Sequence, residues 1–306
     1  MIVAEVVRSG FVESVHHGVV AVVGGESFGD VASPFFPRSS NKPLQTVALL
    51  ESGLVPREEA DLALISGSHD GEPFHVERVG AMLVAAGLGP ESLRCPADLP
   101  LGETPRRAWL RGGGEAEPIL MNCSGKHAGM LATCVINGWP LDSYLAVDHP
   151  LQKALADAVS RLSGEPIAAL GVDGCGAPIF AISPIGLARA FQRLVEAEPG
   201  TPERRVADAM RAHPALVAGT GAEDTVLMDA VPGLLVKKGA DGVAAAAMAG
   251  AGAVALKISD GSARARVPVL IAALRGLGLE VPDLPEPVLG GGRPVGEVRA
   301  VFQIAG

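Results

Sequence analysis

The stretch that decides the fold class is IVAEVVRSGFVESVHHGVVAVV, residues 2–23. It is rich in β-branched residues and is broken at Ser9-Gly10 and at His17-Gly18. Runs of β-branched residues with short glycine-containing breaks are typical of strands joined by tight turns. The stretch therefore predicts a meander of antiparallel strands.

A helical region is predicted to follow this meander. After the proline-flanked loop Ser33–Pro37, apolar residues recur with helical spacing through Leu44–Leu50. Such spacing indicates one buried helix face, and Gly53 suits the position just past the helix end. Further amphipathic stretches predict helices at Phe74–Ala86, Pro150–Leu162, Leu187–Glu196 and Glu203–Ala212.

Strand-like segments return late in the chain, at Gly233–Lys238, Ala253–Ser259 and Val298–Phe302. The proline- and glycine-rich stretch Pro282–Arg293 is predicted as a surface loop before the last of them. Strands towards both ends with helices between them predict an α+β fold, whose antiparallel sheet is assembled from both chain ends. Because such a sheet closes the chain on itself, we expect a single domain over residues 1–306.

Composition narrows the class of protein. The chain has 306 residues, 48% of them hydrophobic and 19% charged, with a formal net charge of −9. This composition indicates a folded, soluble enzyme and argues against nucleic acid or an anionic membrane surface as a partner. Glu5 and Arg8 interrupt the first apolar run, so no secretory signal is expected, and Gly242–Leu256 is too short to span a bilayer. Four cysteines are too few for a disulfide framework, so we expect a cytoplasmic protein with reduced thiols.

The first candidate for chemistry is Arg38-Ser39-Ser40-Asn41-Lys42, at the start of the first predicted helix. On a helix, this Ser-x-x-Lys spacing places Ser39 and Lys42 on one face, a turn apart. A serine hydroxyl needs an adjacent base to act as a nucleophile, and a lysine can supply it when burial or a neighbouring cation lowers its pKa. Backbone N–H groups at the helix start would suit a developing oxyanion. The alternative is a capping serine followed by a solvated lysine.

Two further segments carry serine or lysine. Ser66-Gly-Ser68-His69-Asp70-Gly-Glu72 follows an apolar run and gathers several polar groups, although the same residues are ordinary in a turn. Lys237-Lys238-Gly239 follows the strand predicted after Gly233. It resembles the Lys-Thr-Gly element of penicillin-recognising serine enzymes, which lines their active site, although Lys-Gly at a strand end is also a common turn.

Two glycine-containing segments carry cysteines. They are Asn122-Cys123-Ser124-Gly125-Lys126-His127-Ala-Gly129 and Gly171-Val-Asp173-Gly174-Cys175-Gly176-Ala-Pro178. A cysteine beside basic residues suits a low-pKa thiolate or a metal ligand, and two cysteines with a third N or O donor would form a small zinc site. The alternative is a buried thiol beside a solvated lysine, and neither segment has a Cys-x-x-Cys spacing.

Taken in order, these segments resemble the rhizobial-type L-asparaginases, a family of bacterial amidohydrolases. The matching stretches are Pro37–Lys42, Ser68-His69, Asn122–His127, Gly171–Pro178 and Lys237–Gly242. The Cys-Ser-Gly-Lys-His and Val-Asp-Gly-Cys-Gly elements are the specific ones. The chain departs from the family pattern at Lys238 and at Asp241, where glutamate is expected.

The resemblance implies a fold like that of the serine β-lactamases and penicillin-binding proteins, assembled as a homodimer. It implies hydrolysis of L-asparagine to aspartate and ammonia through a Ser39 acyl-enzyme, with Lys42 as base. Ser68 and Lys237 would form a second Ser–Lys pair that relays protons towards the leaving amine. Polar residues would bind the substrate's α-amino and α-carboxylate groups, with Arg38, His69, Asn122 and Asp173 as candidates.

The resemblance also implies a zinc ion near the substrate, with Cys123, Lys126 and Cys175 as ligands. A lysine ligand must be neutral, so this assignment requires Lys126 to lose its proton.

Two alternatives stay open. A glutaminase, or another serine amidase or esterase of the same fold, would use the same residues, and one methylene of substrate changes binding by only about 1–3 kcal/mol. The other is a non-catalytic zinc- or ligand-binding protein in which the serines only cap helices.

Overall fold

The computed structural model describes residues 1–302, with nine β-strands and eleven α-helices in that range. The strands are β1 Ile2–Arg8, β2 Phe11–Val23, β3 Ala169–Val172, β4 Pro178–Ala181, β5 Leu235–Gly239, β6 Val243–Met248, β7 Gly252–Ile258, β8 Glu286–Gly290 and β9 Arg293–Ala300.

The helices fill the long stretch between β2 and β5 and return once before β8. They are α1 Lys42–Glu51, α2 Ala60–Ile65, α3 Pro73–Ala85, α4 Glu103–Arg111, α5 Ser124–Asn137, α6 Pro150–Ser163, α7 Pro184–Glu196, α8 Pro202–Ala212, α9 Pro214–Val217, α10 Glu223–Ala230 and α11 Arg266–Gly276. The predicted helices therefore correspond to α1, α3, α6, α7 and α8. Gly53, with φ 91°, lies just past the end of α1 as expected.

Seven strands form one antiparallel sheet in the order β5-β6-β7-β2-β1-β9-β8, and β3 pairs with β4 in a separate two-stranded sheet. In the larger sheet β1 lies between β2 and β9, with Ala4 opposite Ala300. Both ends of the described chain therefore meet in one sheet. This confirms the predicted α+β class with an antiparallel sheet from both chain ends, whereas the assignment of residues 1–306 to one domain stays a prediction.

The predicted break at His17-Gly18 is wrong, because β2 is continuous through it. What changes there is the partner: residues up to His17 pair with β1, and those from Gly18 pair with β7. A Cβ atom at Gly18 would lie 2.7 Å from the carbonyl oxygen of Lys257, and 2.9 Å from Val3. The glycine is therefore required by the close approach of two strands, not by a turn.

Two other expectations near the end of the chain are corrected. The predicted loop Pro282–Arg293 contains β8, which forms a hairpin with β9. The last strand, expected at Val298–Phe302, instead spans Arg293–Ala300. Pro287 lies on β8 at the sheet's outer edge, where the missing N–H of proline is tolerated.

The site is positioned where the helical region meets the β5 edge of the sheet. Helix α7 packs against β2, β6 and β7, and α1 packs against α5, α6 and α8. Residues Lys42 to Leu50 of α1 are all buried, so this helix lies inside the helical region. No helix within residues 1–302 is long and apolar enough to cross a membrane.

Candidate active site

A short 3-10 turn, Arg38–Asn41, leads directly into α1 and carries the first candidate serine. Arg38 has φ 51°, a left-handed conformation that is costly for a residue with a side chain. Ser40 Oγ donates a hydrogen bond to the carbonyl oxygen of Lys237 at 2.9 Å, which ties the turn to β5. A Cβ atom at Gly239 would lie 2.8 Å from the carbonyl oxygen of Pro37. The turn and the sheet edge therefore approach each other closely.

Beside this junction lies a cleft of about 450 Å³, which we name the serine–lysine cleft. It is lined by Ser39, Ser68, Asp70, Leu101, Gly102, Asn122, Lys238, Gly239, Ala240 and Arg266. Both predicted serines thus open on one cavity, whose volume is that of a small-molecule site.

Lys42 is buried beside the two serines. Its Nζ atom donates to the carbonyl oxygen of Gly67 at 2.5 Å and to Ser68 Oγ at 3.0 Å. The structure of residues 1–302 shows no hydrogen bond between the side chains of Lys42 and Ser39. The direct Ser–Lys contact is therefore made across the tertiary structure with Ser68, and Ser39 shares the cleft with that pair.

Lys237, the second predicted lysine, is fully buried on β5. Burial lowers its pKa to about 7, an effect that the carboxylate of Asp224 partly opposes and that the charge of Lys42 reinforces. Its Nζ atom lies 3.8 Å from Asp224 Oδ2 and donates to the carbonyl oxygen of Lys238 at 2.7 Å. Within the described chain no hydrogen bond joins Lys237 to Ser68, so the predicted Ser68–Lys237 pair is not a direct hydrogen bond.

The two cysteine segments come together in a second buried site, the cysteine–lysine cluster, formed by Cys123, Lys126 and Cys175. Cys123 immediately precedes α5, Lys126 lies in its first turn, and Cys175 lies between β3 and β4. Lys126 Nζ donates to Cys175 Sγ at 3.1 Å. A hydrogen bond from Cys123, together with the Lys126 ammonium, lowers the pKa of Cys175 despite its burial. Burial acts to lower the pKa of Lys126, but Cys175, Cys123 and Asp173 together outweigh it, so the pKa is raised.

The donor set of this cluster fits zinc. Cysteine sulfurs are among the ligands that zinc prefers, and Lys126 could add a nitrogen donor once it has lost its proton. Nearby, His127 is buried with its Nε2 atom unpaired among residues 1–302, while Nδ1 lies 2.6 Å from the Tyr144 hydroxyl. No group of three or more His, Cys, Asp or Glu side chains in that range could hold a metal ion, so such a site would need Lys126 as a ligand.

The four predicted substrate-binding residues have different surroundings in the structure. Asn122 lines the serine–lysine cleft. Arg38 Nε donates to Asp173 Oδ1 at 2.8 Å, and its guanidinium also pairs with Asp241, so Arg38 and Asp173 bind each other. His69 is fully buried, with Nε2 2.8 Å from Ser124 Oγ, and burial lowers its pKa well below the usual value.

Sequence reasoning assigned no role to three charged residues of the cleft: Asp70, Lys238 and Arg266. Asp70 lies in the quoted Ser66–Glu72 segment, and Lys238 marks a departure from the family pattern. Both could therefore have been chosen as candidates from the sequence. Arg266 begins α11 and offered none, because only the tertiary structure brings that helix to the cleft.

A family model described as L-asparaginase II matches residues 4–300. The family that this model describes is a class of amidohydrolases. The chain belongs to the L-asparaginase II family, which confirms the resemblance found in its motifs.

No curated protein gives a significant match. Two solved structures of Mglu in its native form, one of them in 4.3 M NaCl, are 14% and 17% identical to the chain, with TM-scores of 0.43 and 0.33. Each alignment covers 84% of this chain, but 62% and 59% of the respective Mglu chains. The chain therefore corresponds to about three fifths of the length of these structures.

Proposed function

We propose that this enzyme is an L-asparaginase that hydrolyses L-asparagine to L-aspartate and ammonia through an acyl-enzyme on Ser39. The observation that carries the proposal is the shared cleft, in which Ser39 and Ser68 lie together and buried Lys42 donates to Ser68 Oγ at 3.0 Å. Family membership supplies the reaction class. A nucleophile with a positioned amine base is what acyl transfer requires.

In the first step Ser39 Oγ attacks the side-chain amide carbon of asparagine, and its proton passes to neutral Lys42. The negative charge that develops on the amide oxygen needs hydrogen-bond donors. The N–H of Ser39 lies in the first turn of the 3-10 segment, where backbone N–H groups have no partner within the helix. One such donor typically lowers the barrier by about 3–4 kcal/mol.

In the second step the C–N bond breaks and the leaving nitrogen takes up a proton to depart as ammonia. The contact between Lys42 Nζ and Ser68 Oγ offers a route for that proton, from the Lys42 ammonium through the Ser68 hydroxyl. Lys237, with a pKa of about 7, can hold or release a proton near neutral pH and so supports the Ser68 relay. Water then hydrolyses the Ser39 ester and releases aspartate.

Zinc is part of the proposal as a bound ion held by Cys123, Lys126 and Cys175. When bound there, it would supply a fixed positive charge and Lewis acidity beside the substrate. The chain's own task is to release the Lys126 proton, since an ammonium has no lone pair for a metal. Homodimeric assembly belongs to the same proposal and is supported by the motif resemblance alone. A cytoplasmic location also belongs to it and is supported by the low cysteine count and the interrupted first apolar run.

The test is ammonia release from asparagine and from glutamine by the wild type, Ser39→Ala and Ser68→Ala. We expect release from asparagine that falls by at least about 10³-fold in Ser39→Ala, and a mass increase of one aspartyl group on Ser39 after rapid quenching. Faster release from glutamine would make the enzyme a glutaminase. No release from any amide, with zinc retained, would favour a non-catalytic zinc-binding protein.

The Lys42–Ser68 hydrogen bond gives one specific reason to consider Ser68 as the nucleophile instead. In that case Ser68→Ala would abolish labelling and turnover, whereas Ser39→Ala would keep turnover within about tenfold of the wild type. The position of the aspartyl label decides between the two serines.

A further inference from the structure

The serine–lysine cleft contains one carboxylate that has no partner. The side chain of Asp70 accepts no hydrogen bond and forms no ion pair within residues 1–302, although Asp70 is partly buried. Its backbone is fixed on both sides, since its N–H donates to the carbonyl oxygen of Ala218 at 2.6 Å and its carbonyl accepts from Gly102 N–H at 2.9 Å. The carboxylate is therefore held in the cleft by its backbone and not by a counter-ion.

Packing around Asp70 supports the same conclusion. A Cβ atom at Gly219 would lie 2.6 Å from Asp70 Oδ2, and one at Gly102 would lie 2.9 Å from Asp70 Cβ. Only glycine at these two positions leaves room for the carboxylate. Burial raises the pKa of Asp70, and the charge of Lys238 opposes that rise. The carboxylate and the Lys238 ammonium therefore influence each other across the cleft.

Lys238 is the free cation of the cleft. Its ammonium forms no hydrogen bond or ion pair within residues 1–302, while its backbone N–H donates to Asp224 Oδ2 at 3.0 Å and fixes its position on β5. Arg266, the other cation that lines the cavity, is already paired. It donates through Nε to Glu223 Oε1 at 2.9 Å and through a terminal nitrogen to the carbonyl oxygen of Gly239 at 3.2 Å.

The cleft thus presents one unpaired anion and one unpaired cation beside two serines. A free amino acid carries the complementary pair, an α-ammonium and an α-carboxylate on one carbon. We propose that Asp70 binds the α-ammonium group of the substrate and Lys238 binds its α-carboxylate, so that the enzyme selects free amino acids. This inference rests on the proposed amide hydrolysis and adds the residues that determine substrate class.

The assignment explains why these two charges are left unpaired in a partly desolvated cavity, where an unpaired charge is unfavourable. Binding of a zwitterion would pair both at once. It also predicts exclusion of asparagine within a peptide, because an amide in place of either charged group leaves Asp70 or Lys238 without a partner in the cleft.

The experiment compares asparagine with two analogues that each lack one charged group. Succinamate lacks the α-amino group, and 3-aminopropanamide lacks the α-carboxylate. Each is measured as a competitive inhibitor of asparagine hydrolysis by the wild type, Asp70→Asn and Lys238→Met. Asp148→Asn and Lys153→Met, which change exposed residues outside the cleft, are the matched controls.

We expect Asp70→Asn to raise KM for asparagine by about 30–100-fold, with a smaller change in kcat. The same variant should weaken inhibition by 3-aminopropanamide by a similar factor and leave inhibition by succinamate unchanged. Lys238→Met should show the opposite pattern with the two analogues, and Lys238→Arg should restore asparagine binding. The assignment would be overturned if each variant lost affinity equally for both analogues, or if KM for asparagine stayed at the wild-type level.

Failure of the proposed function is a separate outcome. If the wild type releases no ammonia from asparagine, calorimetric titration of asparagine and both analogues into the same variants still tests the two charges. Asparagine binding that is weakened in Asp70→Asn but not in Asp148→Asn would support the assignment without hydrolysis. Absence of asparagine binding to the wild type would overturn it.

Discussion

The serine–lysine cleft and the cysteine–lysine cluster both contain a buried lysine, but they differ in the charge of the group that the lysine contacts. Each buries a lysine whose Nζ atom donates to a potential nucleophile, Lys42 to Ser68 Oγ at 3.0 Å and Lys126 to Cys175 Sγ at 3.1 Å. In the cleft the partner is a hydroxyl, which stays neutral. In the cluster it is a thiol whose pKa is lowered, so an anion faces the lysine.

The charge of the neighbouring groups determines whether the pKa of a buried lysine is lowered or raised. Burial and the charge of Lys42 lower the pKa of Lys237 to about 7, although Asp224 lies 3.8 Å away. The cysteines raise the pKa of Lys126, which is equally buried. A buried lysine among hydroxyls and other lysines is suited to exchange protons. A buried lysine that faces a thiolate is suited to hold its charge, until a metal ion takes the place of its proton. The comparison therefore supports the proposal that the cleft transfers protons and that the cluster binds a metal ion.

The largest expected effect follows from removing the lysine of the cleft. Lys42→Met should lower kcat for asparagine by about 10³-fold, because the variant lacks the base and the donor to Ser68. Zinc content should stay at the wild-type level. Ammonia release and elemental analysis of the same sample check both statements.

The matched control for this variant is Lys153→Met, which changes an exposed lysine on α6. It should keep kcat within about twofold of the wild type. Loss of zinc together with activity in Lys42→Met would contradict the comparison, because the serine–lysine cleft and the cysteine–lysine cluster would then not act separately.

The second prediction concerns the cluster. Cys123→Ser should lose most of its bound zinc, because serine is a much weaker zinc ligand than cysteine. Cys134→Ser is the control, since Cys134 is also buried and lies on α5, but only its burial raises its pKa, to about 12. Stoichiometric zinc in purified Cys123→Ser would refute the ligand assignment.

The smallest effect concerns stability. The folded chain releases the Lys237 proton near pH 7, whereas an unfolded lysine keeps it to about pH 10. Between these values the unfolded state binds more protons, so this group makes the free energy of unfolding rise with pH, by at most about 1.4 kcal/mol per pH unit. Lys237→Met has no such contribution. Its stability relative to the wild type should therefore fall as the pH rises from 7 to 10.

Urea denaturation at several pH values measures this difference, with Lys153→Met as a control that should follow the wild type. Parallel pH dependences for the wild type and Lys237→Met would show that burial does not lower the pKa of Lys237. The contrast with Lys126 would then lose its main support.

Much of the fold could be predicted because its signals are local. Helices α3, α6, α7 and α8 have clear amphipathic spacing, and their observed bounds lie close to those predicted. The Ala-rich strand β6, Val243–Met248, gave no such signal, because alanine favours helices and is depleted in strands. It is a strand because it is buried between β5 and β7.

The sequence offered candidate residues for the site but not their contacts. The order of motifs identified Ser39, Lys42, Ser68 and Lys237, and the structure brings both serines to one cleft. The sequence could not show that Lys42 bonds to Ser68, because 26 positions separate the two residues and only tertiary packing joins them. Asp224 offered no signal, since its significance comes from its distance of 3.8 Å to Lys237.

The pairing of Ala4 with Ala300 has a consequence for synthesis of the chain. At about 5–20 residues per second, residues 293–300 leave the ribosome tens of seconds after β1. Throughout that interval the β1–β2 hairpin carries an open edge of unpaired backbone groups, which can pair with another nascent chain. Rapid, crowded expression should therefore favour aggregation through β1, and slower translation or a chaperone that covers this edge should raise the yield of folded enzyme.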